Sequence, residues 1–282
     1  MTVRTFETMG TVVSLRGATP EMAAGVRAVF ADHDRRYSLY DPSSVLSRVA
    51  DGSLRLADAP AEVRDVYALA LDWRQRTGGA FTPHRPDGVI DLSGVVKALA
   101  IRDAGAVLDG AADDWMISAG GDVLVRGQHR PDTPWSVGIV DPARRDTVVG
   151  IVRLTGSRRA VATSGTAERG EHIWRRTTPA FVQASVIADD IVTADVLATA
   201  VVAGDEDDLR RITGDGSVDV LAFGADGRVW ATPGAAGTVQ GAAPSHHDPD
   251  IEPPSDPGST SQPWFETPAR DSATTRAHAP RA

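Results

Sequence analysis

Asp195 and Thr199, four residues apart in Thr193-Ala-Asp-Val-Leu-Ala-Thr-Ala200, have the types and spacing of a metal-binding pair. On a helix these positions stack on one face, so a carboxylate and a hydroxyl converge while Val196, Leu197 and Ala200 pack elsewhere. Two such oxygens suit a hard cation such as Mg2+. The same spacing also describes polar residues on a solvated helix face. A second segment, Ile90-Asp-Leu-Ser-Gly-Val-Val-Lys-Ala98, reads as a helix start capped by Asp91 or Ser93, with Gly94 and Lys97 in its first turn. Free amides and a nearby ammonium favour a phosphate there, and the bland alternative is an ordinary cap with a solvated lysine. Neither a P-loop nor a Gly-x-Gly-x-x-Gly fingerprint is present.

Two further segments offer polar backbone and proton chemistry. In Ser118-Ala-Gly-Gly-Asp122, Gly120 and Gly121 permit a turn with positive φ and let a ligand approach bare backbone, although a plain strand turn explains them too. Arg159-Ala-Val-Ala-Thr-Ser-Gly165 places the hydroxyls of Thr163 and Ser164 at a strand tip. Shortly after it, His172 is a candidate to take a proton or bond a ligand. His33, His84 and His129 lack a comparable setting, and His246-His247 is too thin a pair for a metal site.

The elements that must position these groups follow from periodicity. A strand over residues 11–16 precedes a helix over 20–36, with Met22, Val26, Val29 and Phe30 on one side. A helix over 61–76 stops at Gly78-Gly79, and another runs from the Asp91 segment to about residue 108. Short apolar stretches at 115–119, 123–126, 135–140, 148–154, 160–163 and 184–188 read as strands. Helices over 193–202 and 206–212 come next, then a hairpin of 218–223 and 228–230 around Ala225-Asp-Gly227. The pattern predicts one α+β domain with a mostly antiparallel sheet over residues 1–232. From Pro233 to Ala282, Pro, Ser, Asp, Gly and Ala dominate with only Trp264 and Phe265 as aromatics, which predicts a disordered tail.

Composition narrows the function. With 282 residues, 41% of them hydrophobic, the chain can bury a sizeable core. A formal net charge of -9 argues against nucleic acid or an anionic membrane as a partner, because both need a basic surface. The chain has no cysteine, which excludes disulfides, thiolate metal sites and thiol catalysis. No apolar run is long enough for a transmembrane segment and the N-terminus lacks a secretory pattern, so the expected location is cytoplasmic.

Taken in order, these segments resemble the FAD:protein FMN transferases, the ApbE family of flavin transferases. The resemblance is carried by Thr8-Met-Gly-Thr11, Ser38-Leu-Tyr-Asp-Pro-Ser-Ser-Val-Leu46, Thr77-Gly-Gly-Ala-Phe81, Asp91-Leu-Ser-Gly94 with Lys97, and Ala119-Gly-Gly-Asp122. It continues through Trp135-Ser-Val-Gly-Ile-Val-Asp-Pro142, Ala162-Thr-Ser-Gly165, His172-Ile173 and Asp195-Val-Leu-Ala-Thr199. It implies an ApbE-like, T-fold-like domain that transfers FMN from FAD to a threonine hydroxyl of an acceptor protein and releases AMP. The acceptor would carry a Ser/Gly-Ala-Thr motif.

The resemblance also implies site roles. Met9 and Tyr40 would line the flavin dinucleotide, Tyr40 by stacking. Ala80, Phe81 and Thr82 would border it, Asp91 and Lys97 would touch it, and Gly120, Gly121, Thr163, Ser164, His172 and Ile173 would complete its surroundings. The carbonyl of Gly94 and the side chains of Asp195 and Thr199 would hold Mg2+. Attack on the FMN-side phosphorus needs pyrophosphate charge neutralised, for which Mg2+ and Lys97 are suited. Asp195 and His172 are then the catalytic candidates, His172 as base or as a ligand-orienting group. The chain departs from the family pattern at Thr82, where Asp is common, at Ala98, where Gly is usual, and at Trp174-Arg-Arg-Thr-Thr-Pro179, which replaces an Asp-Pro-x-Thr-Gly turn. An FAD pyrophosphatase and a non-catalytic flavin-binding protein are the alternatives.

Overall fold

The computed structural model describes residues 2–165, 180–237 and 265–267. The chain opens with a hairpin of β1 (Val3–Thr8) and β2 (Thr11–Arg16). Its two-residue turn, Met9-Gly10, has φ of 49° and 68°, the left-handed pair whose twist suits a hairpin. Four helices follow: α1 (Pro20–Tyr37), α2 (Val45–Ala50), α3 (Ala61–Arg76) and α4 (Ser93–Asp109). At the start of α1, Pro20 provides a preset φ and Thr19 Oγ1 accepts the Met22 amide, which together fix the first turn.

The second half supplies most of the strands. They are β3 (Trp115–Ala119), β4 (Asp122–Arg126), β5 (Trp135–Val140), β6 (Val148–Leu154), β7 (Ala160–Gly165) and β8 (Phe181–Ala188). Next come α5 (Ile191–Ala203), α6 (Glu206–Thr213), β9 (Asp219–Gly224), β10 (Val229–Ala231), α7 (Pro233–Ala236) and β11 (Phe265–Thr267). Among the described residues, nine strands form one sheet in the order β1-β2-β3-β4-β7-β8-β9-β10-β11, while β5 and β6 pair separately. All these pairings are antiparallel, as the sequence pattern predicts.

Both faces of the central strands are buried, so successive residues serve different cores. Leu124, Ala160, Ala162 and Val186 join the helices α1, α4 and α5 in the larger core. Val123, Val125, Val161 and Ile187 instead meet Trp135 and Ile139 of the β5–β6 hairpin and Ala235 of α7. Helix α5 is apolar around nearly its whole circumference, as befits a helix packed between the sheet and α4.

The structure adds elements that periodicity does not reveal. In β1, Val-Arg-Thr-Phe-Glu-Thr buries only Phe6, and α2 is too short to show a helical period. Helix α5 begins at Ile191 rather than Thr193, because Asp190 accepts the Thr193 amide at 2.9 Å. Regular secondary structure continues past the change in composition at Pro233 in α7 and β11, while most of the rest of the predicted tail lies outside the described residues. Ala235 is fully buried, and β11 pairs with β10 in the register Trp230↔Glu266.

Close approach of α4 to the sheet depends on Gly105. A Cβ there would lie 3.0 Å from both Leu124 Cδ2 and Trp115 Cη2. A longer side chain gains up to about 1 kcal/mol of helix propensity but overpacks this contact at about 1–3 kcal/mol. Gly105→Leu is therefore expected to lower stability in urea denaturation, and a more stable variant would contradict this packing.

Candidate functional site

The strand registers gather the sequence motifs at one end of the large sheet. Val13 pairs with Ala119, which brings the Met9-Gly10 turn beside the turn that joins β3 to β4. That second turn is Gly120-Gly121, with φ of 57° and 89°, flanked by the pair Ala119↔Asp122. Positive φ at both positions explains the glycines and delivers Asp122 as the first residue of β4. One strand away, the Thr163 amide donates to Asp122 Oδ1 at 3.3 Å. Thr163 Oγ1 lies 2.8 Å from Ser185 Oγ, and Ser164 Oγ lies 3.1 Å from Thr199 Oγ1 on α5. The tip of β7 is thereby tied to the face of α5 that carries Thr199 and, one turn earlier, Asp195.

Three charged side chains meet where α4 and α5 cross this end of the sheet. Lys97 Nζ is 2.5 Å from Asp122 Oδ2 and 3.6 Å from Asp195 Oδ1. Lys97 is 8% exposed, Asp122 fully buried and Asp195 3% exposed, which rules out the solvated-lysine and solvated-face readings of the sequence. Burial, reinforced by the Asp195 charge and opposed by Lys97, pushes the Asp122 carboxyl up to about 7. Asp195 Oδ2 is buried and has no hydrogen-bond partner among the described residues. An unpartnered carboxylate oxygen in this setting is costly, which makes it a candidate ligand-binding atom.

The other sequence candidates occupy distinct places. Gly94 lies on α4 one turn before Lys97, and a Cβ there would come within 2.9 Å of the Phe81 ring. Ala80 and Phe81 are buried, held by the Phe81 amide bonding Thr77 Oγ1 at 3.1 Å. Thr82 Oγ1 accepts the His84 amide. Asp91 Oδ1 accepts the Ser93 amide, but the capping residue of α4 is Leu92, without a side-chain cap, rather than Asp91 or Ser93. Met9 packs partly buried against the main core. Tyr40 is 85% exposed, in a turn where Ser38 Oγ accepts its amide. His172 and Ile173 lie outside the described residues. Sequence reasoning missed Asp122 as the partner of Lys97, because its Gly-Gly-Asp signal marks a turn and says nothing of a distant lysine.

The donor types are those that a hard divalent cation accepts. Asp195 offers an open carboxylate oxygen, Thr199 a hydroxyl on the same helix face, and Gly94 a backbone carbonyl on the helix packed against α5. No three His, Cys, Asp or Glu side chains cluster as a metal site among the described residues. No helix among the described residues is long and apolar enough to cross a membrane.

Comparison with known proteins agrees with the fold. The model of the ApbE family matches residues 9–86 and 83–222. A Rhodobacter capsulatus protein named FAD:protein FMN transferase is 34% identical over 171 residues, 56% of this chain and 32% of the relative, so the chain spans about a third of that relative's length. The flavin transferase ApbE from Vibrio cholerae superposes with a TM-score of 0.69 at 20% identity, covering 84% of this chain and 99% of that one. The ApbE protein from Thermotoga maritima gives 0.67 at 21% identity, over 81% and 96%. At these identities the structural likeness establishes the fold.

The buried charges predict a pH-dependent stability in chelator-treated protein. The folded Asp122 carboxyl titrates above its unfolded value, so the stability it contributes is complete below about pH 4 and is lost as pH rises through about 7. Lys97→Met leaves two buried carboxylates without their ammonium and is expected to cost about 3–5 kcal/mol near pH 8. The loss should shrink toward about pH 5, where a carboxyl can take up a proton. Urea melts across that range test this, and a pH-independent loss would contradict it.

Proposed function

The chain belongs to the ApbE family, and from that premise we propose that it is an Mg2+-dependent FAD:protein FMN transferase. The observation that carries this reading is the open Oδ2 of buried Asp195, on one helix face with Thr199 and beside Lys97. Asp195, Thr199 and the Gly94 carbonyl would hold the cation, which when bound would neutralise charge on the pyrophosphate oxygens. Lys97 adds a fixed positive charge near the same oxygens, and water is kept out because the three charged groups are buried.

The remaining residues bind and orient. Gly120 and Gly121 let the dinucleotide approach the backbone, as the bare turn permits. Thr163 and Ser164 present hydroxyls from the tip of β7, and the exposed Tyr40 ring is available to stack on a ring of the dinucleotide. Phe81, Ala80 and Thr82 shape the wall beside Gly94, with Met9 and Asp91 nearby in the same reading. The acceptor threonine oxygen forms a new bond to the FMN-side phosphorus while the pyrophosphate bond breaks and AMP leaves. The proton of that hydroxyl passes to His172, with Ile173 next to it in the chain.

The reading is tested by incubating the protein with FAD, Mg2+ and an acceptor domain bearing the Ser/Gly-Ala-Thr motif, with in-gel flavin fluorescence as readout. A fluorescent acceptor band is expected, and Asp195→Ala should weaken it by about a hundredfold or more. An undiminished band in the variant would refute the cation assignment. AMP release without acceptor would instead identify a hydrolase, and tight FAD binding without AMP under any condition a flavin-binding protein.

A further inference from the structure

Asp122 is a fully buried carboxylate that the proposed reaction leaves without a role. Resting on the reading of Asp195 as a cation ligand, we infer that Asp122 is a positioning residue that holds the Lys97 ammonium off Asp195, so that Asp195 Oδ2 stays open to a divalent cation.

The distances set up the argument. Lys97 Nζ sits 2.5 Å from Asp122 and 3.6 Å from Asp195, so the ammonium is drawn to the carboxylate that binds no cation. Asp122 is itself pinned: it follows directly on the Gly120-Gly121 turn, and the Thr163 amide holds its other oxygen at 3.3 Å. With both carboxylates ionised, the two aspartates and one lysine carry one negative charge in excess, which favours a cation in a site of low dielectric. Neutralising Asp122 changes two things in the same direction. The lysine, a point charge on a flexible four-carbon stem, keeps Asp195 as a charged partner 3.6 Å away. The group of three also becomes neutral overall, and its attraction for a cation falls.

A purely structural ion pair makes a different forecast. It would cost stability when broken, yet removing Lys97 as well would not restore cation binding.

The test is titration of Mn2+ alone into the full-length protein, with free Mn2+ read by electron paramagnetic resonance and folding by circular dichroism. Asp122→Asn is expected to bind Mn2+ at least about tenfold more weakly than wild type. Adding Lys97→Met to that variant should return the affinity to within about threefold of wild type, because the excess negative charge is restored. Asp195→Ala should abolish tight binding. If Asp122→Asn binds as wild type does, or the double variant fails to recover, the positioning role is refuted while loss in Asp195→Ala still upholds the cation site. Wild-type affinity in Asp195→Ala, or no binding by wild type, would refute the site itself. Should Asp122→Asn not fold, Lys97→Met alone decides: binding at least as tight as wild type is expected, and weaker binding refutes the role.

Discussion

Two carboxylates and an ammonium buried together at the crossing of α4, α5 and β4 are the constraint around which this end of the molecule is organised. Isolated charges in such surroundings are strongly disfavoured, and a buried pair is retained at a cost only when its partners are well placed. Lys97 satisfies Asp122 more closely than it satisfies Asp195, at 2.5 Å against 3.6 Å. The imbalance leaves one oxygen of Asp195 with nothing to bond among the described residues. Under the proposed reading that oxygen can meet a cation without first giving up a bond, as a carboxylate already satisfied would have to.

The surrounding architecture makes that arrangement rigid. Helix α5 is buried around nearly its full circumference, which keeps Asp195 away from water. Helix α4, which carries Lys97, packs on the sheet closely enough that a Cβ at Gly105 would crowd Leu124 and Trp115. On the sheet side, the left-handed Gly120-Gly121 turn launches Asp122, and the bond between Ser164 and Thr199 ties the tip of β7 to α5. Each link is local in geometry but joins parts of the chain far apart in sequence, so the site exists only when the whole sheet and both helices are assembled.

Much of the scaffold was legible in the sequence because it follows from short-range rules. The amphipathic period and the following glycines delimit α3 at residues 61–76, and paired glycines announce the β3–β4 turn. Strand β1 was not legible, because only Phe6 in it is buried and its polar residues mask the alternation. Helix α5 starts two residues before the position its apolar period suggests, because Asp190 caps it. For the site, residue types and order pointed to Asp195, Thr199, Lys97 and the Gly-Gly turn, but not to their burial. A helix carrying Asp and Thr four apart looks the same in sequence whether that face meets water or another helix. The pairing of Lys97 with Asp122 was likewise hidden, since long-range contacts leave no mark in local spacing.

The account stands or falls on whether a cation occupies the opening beside Asp195. The most direct measurement is anomalous diffraction from crystals of the protein soaked with Mn2+ and FAD. The account predicts an anomalous peak at coordination distance from Asp195 Oδ2 and Thr199 Oγ1, with the dinucleotide phosphates against it and Lys97 still on Asp122. A peak elsewhere in the molecule, with Asp195 meeting no metal, would contradict it.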